Sequence, residues 1–422
     1  MDLRIFPPEE LLDATVALPL SKSVSNRVAA IAALTPGMSL PALAECDDTR
    51  AMLEAIDSRS DTVNIGAAGT AMRFLTAVFA ATPGREVVLD GSARMRKRPI
   101  GPLVDALRTL GAQIEYAGEE GFPPLRISGR RLAGGAVSVD AGVSSQFISA
   151  LLLAAPAMEA GLELTLTGEA VSQPYVAMTL GVMRRFGAEC EREGNVITVA
   201  PGTYRPAPGF EVEADWSAAS YWYEIQALTC GWTKLLGLTA DSLQGDSAVA
   251  RLFGDLGVES GFETDPVCAD LEASPDLAPR FVADLADTPD IAQTIAVTCA
   301  LLGVPFRLTG LGSLRIKETD RIAALRTELG KLGITLEPDL PDTLEWLGGR
   351  LPIAGPPEFD TYDDHRMAMA FAPVAVFLPG IVIRNAEVVS KSYPQFWEHL
   401  AAAGFTVRDA AVTTADADEP EA

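Results

Sequence analysis

The chain has 422 residues, 48% of them hydrophobic and 21% charged, with 33 Lys+Arg against 57 Asp+Glu and a formal net charge of −24. That composition is ordinary for a globular protein with room for two or more hydrophobic cores, and it excludes extensive disorder. So negative a chain repels nucleic acid and anionic membrane at long range, so any anion it binds must be held by local clusters of cations.

The amino terminus, MDLRIFPPEELLD, has no apolar run of the kind a signal peptide needs. Beyond it, two phrases alternate down the chain. The first is a polar loop with an N-cap residue, then an apolar helix, a Gly stop and a strand. Its loops are SKSVSN (21–26), AAGT (67–70), VSSQ (143–146), DWS (215–217), DTPD (287–290) and YDDH (362–365). The matching stops are Gly37, Gly84, Gly161, Gly231, Gly303 and Gly380, spaced 47, 77, 70, 72 and 77 residues apart. The second phrase is an amphipathic helix closing on Gly before another strand, with Gly111, Gly187, Gly257, Gly333 and Gly404 separated by 76, 70, 76 and 71. Two independent markers with one period predict a sixfold repeated α/β unit whose first copy is short. Gly at these stops is expected as the left-handed helix cap.

Met367 to Ile383 is 17 residues without a charge, but Pro373 and the pair Pro379-Gly380 interrupt it. It reads as a buried helix followed by a strand rather than a membrane span. Five scattered cysteines with no CxxC pair fit reduced thiols in a cytoplasm, and two histidines cannot build a His-rich metal centre. The segment 409–422 carries five acids and no base and is expected to be flexible.

Most conspicuous cations fall in or beside the polar loops: Lys22 and Arg27, Arg98 at the end of RMRKRP, Lys317 and Arg321 in KETDR, Arg366 after His365, and Lys391 in SKSYP. Lys317 and Arg321, four apart, are expected on one helix face. A single such residue is usually a solvated charge or an ion-pair partner. Recurrence at one loop position of a repeat, next to helix N-termini that favour negative charge, instead predicts an anion trap. Asp290 and Glu318 are the candidate proton carriers, with helix capping and ion pairing as their structural alternatives. Gly69 opens a helix where backbone can approach a phosphate or carboxylate.

LPLSKSVSNR, AAGTAMR, RMRKRPIGPLVDAL, VSSQF, SQPY, DWSAASY, SLQGD, TPD, KETDR, YDDHRMAM and SKSYP, in this order, resemble the EPSP synthase (3-phosphoshikimate 1-carboxyvinyltransferase) family from about residue 18 to 400. The resemblance implies an α/β two-domain enolpyruvyl transferase fold of six βαβαββ repeats, three per domain, around an interdomain cleft. It places residues 1–20 and 214–408 in a C-terminal-type domain and 21–213 in an N-terminal-type domain. The implied reaction transfers the enolpyruvyl group of phosphoenolpyruvate to the 5-hydroxyl of shikimate 3-phosphate. Neither cofactor nor metal is implied, and the protein is expected to be a cytoplasmic monomer with small-molecule substrates, no nucleic acid and no membrane partner.

Carried over by motif, phosphoenolpyruvate contacts fall to Lys22, Gly69, Arg98, Gln146, Arg321, Arg366 and Lys391. Shikimate 3-phosphate contacts fall to Lys22, Ser23, Arg27, Ser144, Ser145, Gln146, Ser172, Tyr175, Asp290, Ser313 and Lys317. Catalytic roles fall to Asp290, Glu318, Lys22 and Lys391. The chain departs from the family pattern at Ala67, Gln173, Ser313 and Asp363, none of which removes a clamp cation or a candidate carboxylate. Two other readings stay open here: a UDP-N-acetylglucosamine enolpyruvyl transferase of the same fold, whose usual loop cysteine has no counterpart between Cys46 and Cys190, and a non-catalytic anion-binding paralogue.

Overall fold

The structure, a computed structural model, describes residues 1–142, 144–168, 172–338 and 340–411. Residues 412–422 of the acidic tail, and Val143 of VSSQF, lie outside the described residues. The chain divides into two compact units. A central unit comprises Leu20–Ala214 with Leu243–Gly245; a terminal unit comprises Met1–Pro19, Asp215–Ser242 and the chain from Asp246 onward.

The central unit contains α1 (Lys22–Ala33), α2 (Asp47–Asp57), α3 (Gly69–Ala80), α4 (Gly101–Thr109), α5 (Ser145–Ala154) and α6 (Gln173–Arg185). The terminal unit contains α7 (Trp216–Thr229), α8 (Val249–Leu252), α9 (Ala292–Leu302), α10 (Arg321–Lys331), α11 (His365–Phe371) and α12 (Phe396–Ala402). Odd-numbered helices follow the polar loops of the first phrase. Of these, α5 buries every residue from Phe147 to Ala154 and α9 every residue from Ala292 to Leu301. A helix that is apolar all round must be interior. Accordingly α1, α3 and α5 pack on one another inside the central unit, and α9 and α11 pack against α7 and each other inside the terminal unit. The second-phrase helices bury one stripe; in α4 it is Leu103, Val104, Ala106 and Leu107.

One sheet pattern recurs. In the central unit Thr62–Asn64 runs parallel to Glu86–Asp90, which is followed across the sheet by antiparallel Leu125–Ser128 and Gln113–Tyr116. Gly135–Asp140, Leu162–Thr167, Val196–Val199 and Cys190–Glu193 repeat that order. In the terminal unit it returns as Asp13–Ala17, Trp232–Leu236, Val267–Leu277 and Leu256–Thr264, and as Glu358–Phe359, Ile381–Ile383, Leu3–Phe6 and Thr406–Asp409. A three-stranded version, Phe281–Asp284, Phe306–Thr309 and Leu344–Trp346, completes that unit. The short first copy, α1 with α2, forms no sheet among the described residues; the isolated bridge Leu20–Ala214 stands in its place.

The loops cap their helices as the residue types predict. Ser21 accepts from the Val24 N–H, Ser144 from Gln146, Asp215 from Ala218 and Asp364 from Arg366, each bond contributing about 1 kcal/mol. One glycine acts differently from expectation. After α7 the left-handed position is Cys230, with φ of 55°, while Gly231 is required because a Cβ there would lie 2.2 Å from the Leu12 carbonyl oxygen. The uncharged stretch 367–383 resolves into the end of α11, a 3-10 turn over Ala372–Val376 and the strand Ile381–Ile383. No helix among the described residues is long and apolar enough to cross a membrane.

Candidate active site

In the terminal unit the predicted residues gather at the starts of the interior helices. Asp290 enters α9 on a 3-10 turn opened by Pro289, and Arg366 sits in the first turn of α11. The Arg321 guanidinium is their hub: Nε donates to Asp364 Oδ2 at 2.7 Å, Nη1 to Asp290 Oδ1 at 2.8 Å and Nη2 to Glu318 Oε2 at 3.0 Å. Arg366 Nη2 reaches Asp290 Oδ2 at 3.0 Å, Lys317 Nζ lies 3.5 Å from Asp290 Oδ1, and Lys391 Nζ lies 3.7 Å from Glu318 Oε1. Among the described residues, four cations are therefore ion-paired to three carboxylates, Asp290, Glu318 and Asp364. Ser313 lies nearby in sequence, in the 3-10 turn Gly312–Ile316 that precedes Lys317.

This setting controls protonation. Burial works against the charged form of Asp290, but Arg366, Lys317 and Arg321 outweigh it and hold the carboxyl well below its ordinary range. Arg321 is also desolvated, yet Asp364, Glu318 and Asp290 keep it firmly protonated. Tyr221, whose hydroxyl lies 3.5 Å from Arg366 Nη1, is pushed up to about 12 by burial and stays a neutral hydrogen-bonding group.

The central unit assembles its own set. Lys22 is the first residue of α1 and pairs with Asp48 at 3.2 Å; Ser23 follows it. Arg27 is buried and committed to the fold: it donates to Thr179 Oγ1 (2.8 Å), the Ser23 carbonyl (2.7 Å), the Tyr175 carbonyl (3.0 Å) and Ser149 Oγ (3.3 Å). Burial lowers its pKa to about 10, which leaves it cationic at neutral pH. Arg27 thus ties α1 to α5 and α6, the helix that carries Tyr175 and begins just after Ser172. Ser172 itself is held at φ of 56°, a left-handed conformation costly for a non-glycine residue.

Gln146 in the first turn of α5 donates to Thr70 Oγ1 of α3 at 3.4 Å, bringing the starts of two interior helices together, with Ser144 and Ser145 beside it. Arg98 emerges from the 3-10 turn Met95–Lys97 and lies so close to Gly69 that a Cβ there would fall 2.6 Å from Nη1. Within the RMRKRP run, Arg96 is bonded to Asp90 at 2.9 and 2.5 Å and so braces the loop.

Two features correct or extend the sequence reading. Lys317 and Arg321 do not share a helix face, because Asp320 caps α10 through the Ala323 N–H and starts the helix only at Arg321. They meet all the same, on Asp290 Oδ1. Asp364, with no exposed surface, was visible only as part of YDDH, yet it both caps α11 and receives two donors from Arg321. Its neighbours Tyr362 and Asp363 have φ of 55° and 56°, the left-handed region, which Asp visits more readily than most non-glycine residues.

Comparison with known proteins identifies the family. The family model of EPSP synthase (3-phosphoshikimate 1-carboxyvinyltransferase) matches residues 55–400. A 3-phosphoshikimate 1-carboxyvinyltransferase of Bacteroides fragilis is 50% identical over 400 residues, covering 94% of this chain and 97% of its own. The enzyme of that name from Bordetella petrii is 40% identical, covering 91% and 93%. Among solved structures, EPSP synthase of Acinetobacter baumannii superposes with a TM-score of 0.74 at 25% identity over 97% of this chain and all of the other. The recurring sheets, the interior helices and these matches share one explanation: the two-domain enolpyruvyl transferase fold, in a chain that belongs to the EPSP synthase family.

Proposed function

We propose that this chain transfers the enolpyruvyl group of phosphoenolpyruvate to the 5-hydroxyl of shikimate 3-phosphate, releasing phosphate, in the biosynthesis of chorismate and aromatic amino acids. The observation that carries the reading is the convergence of Lys317, Arg321, Arg366 and Lys391 on Asp290 and Glu318 at interior helix starts, in a chain of this family. On this reading the central unit serves as the N-terminal-type domain, the terminal unit as the C-terminal-type domain, and each supplies part of the substrate contacts. Lys22, Gly69, Arg98, Gln146, Arg321, Arg366 and Lys391 serve phosphoenolpyruvate. Ser23, Arg27, Ser144, Ser145, Ser172, Tyr175, Ser313 and Lys317 serve shikimate 3-phosphate, Arg27 through the backbone it fixes.

The chemistry needs a proton on the methylene carbon of phosphoenolpyruvate, which makes C2 electrophilic, and a base for the 5-hydroxyl. The hydroxyl oxygen bonds to C2; the tetrahedral intermediate then loses phosphate and returns the methyl proton. Asp290 is assigned to the hydroxyl and Glu318, with Lys22 or Lys391, to the carbon. Unliganded, Asp290 is ionised but a weak base. Substrate anions that neutralise Arg366, Lys317 and Arg321 raise its basicity at the moment of use. Fixed cations around a polyanionic intermediate supply the largest stabilisation.

The same reading makes the protein a cytoplasmic monomer without a cofactor. The decisive assay measures phosphate release from phosphoenolpyruvate with shikimate 3-phosphate, and with UDP-N-acetylglucosamine as the competing acceptor. Turnover with the first acceptor alone is expected; turnover with the second, or with neither, refutes the proposal.

A further inference from the structure

Two family motifs, DWSAASY and SLQGD, carry residues with no role so far. Ser217 stands in the first turn of α7, and Asp246 is the second residue of the 3-10 stretch Gly245–Ala248. The Ser217 hydroxyl is bonded to Asp246 Oδ2 and receives Arg366 Nη2 at 3.3 Å, while the same Nη2 reaches Asp290 Oδ2 at 3.0 Å. A continuous line therefore runs from Asp246 through Ser217 to the Arg366–Asp290 pair. Asp246 is only 3% exposed, and among the described residues its Oδ1 has no hydrogen-bond partner. Buried carboxylate oxygens are ordinarily satisfied, so an unsatisfied one calls for an explanation.

We infer that Asp246 is a positioning residue for Arg366, acting through Ser217, and that its protonation state sets how much positive charge the site offers to the phosphoenolpyruvate anion. The inference rests on the proposed reaction and deepens it. The ion-paired cluster holds four cations and three carboxylates. With Asp246 neutral it keeps a net positive charge, and with Asp246 ionised that charge is cancelled. The groups facing Asp246 are Asp290, Arg366 and the α7 cap Asp215; burial and then Asp290 raise its pKa to about 6, against the opposing pull of Arg366 and Ser217. An incoming anion favours the neutral form further, so binding is linked to proton uptake at Asp246.

The test is the KM for phosphoenolpyruvate, at saturating shikimate 3-phosphate, from pH 5.5 to 8 in the wild type, Asp246→Asn and Ser217→Ala. Substrate phosphates titrate in the same window for all three proteins, so the readout is the ratio of variant to wild type. Asp246→Asn keeps the shape and removes the charge. Its KM is expected to match the wild type near pH 5.5 and to fall about threefold to tenfold below it at pH 8, the order of effect of removing one negative charge near a bound anion. Ser217→Ala, which cuts the link, is expected to raise KM at every pH by more than it lowers kcat. A ratio for Asp246→Asn that does not change with pH overturns the inference, and so does an unchanged KM in Ser217→Ala. If Asp246→Asn does not fold, the Ser217→Ala result decides. Absence of wild-type turnover would instead defeat the underlying reaction, a separate outcome seen before any variant is made.

Discussion

Replacing Gly69 by Ala probes the proposed anion site of the central unit with a single methyl group. Gly69 is the first residue of α3 and is not in the left-handed region, so its backbone accepts alanine, which is also the better helix former. The added Cβ would lie 2.6 Å from Arg98 Nη1, 2.9 Å from Nη2 and 3.0 Å from Cζ. Ordinary contact needs roughly 3.5–4 Å, so the guanidinium must retreat by about an ångström. Because the atoms that yield are the end of a flexible side chain, the fold should barely register the change. On the proposed reading, the lost or misaligned charge-assisted bond from Arg98 to phosphoenolpyruvate is worth about 1.5–3 kcal/mol, a 10- to 150-fold rise in its KM. Steady-state kinetics with each substrate varied in turn, beside a thermal melt, read this directly. A large KM increase for phosphoenolpyruvate, a small one for shikimate 3-phosphate and an unshifted melt are expected. An unchanged phosphoenolpyruvate KM would refute the placement of Arg98 at that substrate.

Arg321→Ala leaves Asp364 fully buried without its partner, and removal of one member of such a pair costs about 3–5 kcal/mol; denaturant melts should show that loss together with abolished turnover, and an unaffected midpoint would contradict the hub role. Asp246 tests linkage in stability. Its folded-state pKa, raised to about 6, means that between about pH 4 and 6 the folded protein holds a proton the unfolded chain has released. Its contribution is therefore most favourable at low pH and is lost as pH rises through 6, so the stability of Asp246→Asn relative to wild type should increase from pH 4.5 to 7.5; a constant difference would refute the shift.

Much of the architecture is legible along the chain because its causes are local. A Ser or Asp before an apolar run caps a helix wherever it occurs, as at Ser21, Ser144, Asp215 and Asp364. The recurrence of such loops at a fixed period places Lys22, Gly69, Gln146, Asp290 and Arg366 at or beside the starts of interior helices. The periodic pattern does not disclose that the first copy lacks a sheet among the described residues, because strand pairing depends on partners far along the chain. Nor could spacing alone show that Asp320 would start α10 late and part Lys317 from it.

What the amino-acid sequence determined by itself is the repeated module, its caps, the family and the set of charges available, since each follows from residue type and separation. Which charge meets which was decided only by tertiary structure. Arg321 bonds Asp364 across 43 residues, Arg366 reaches Ser217 across 149, and the methyl-sized gap at Gly69 is filled by Arg98. Such contacts arise when interior helices distant in sequence are packed side by side, and the burial that makes their electrostatics strong exists only after that packing.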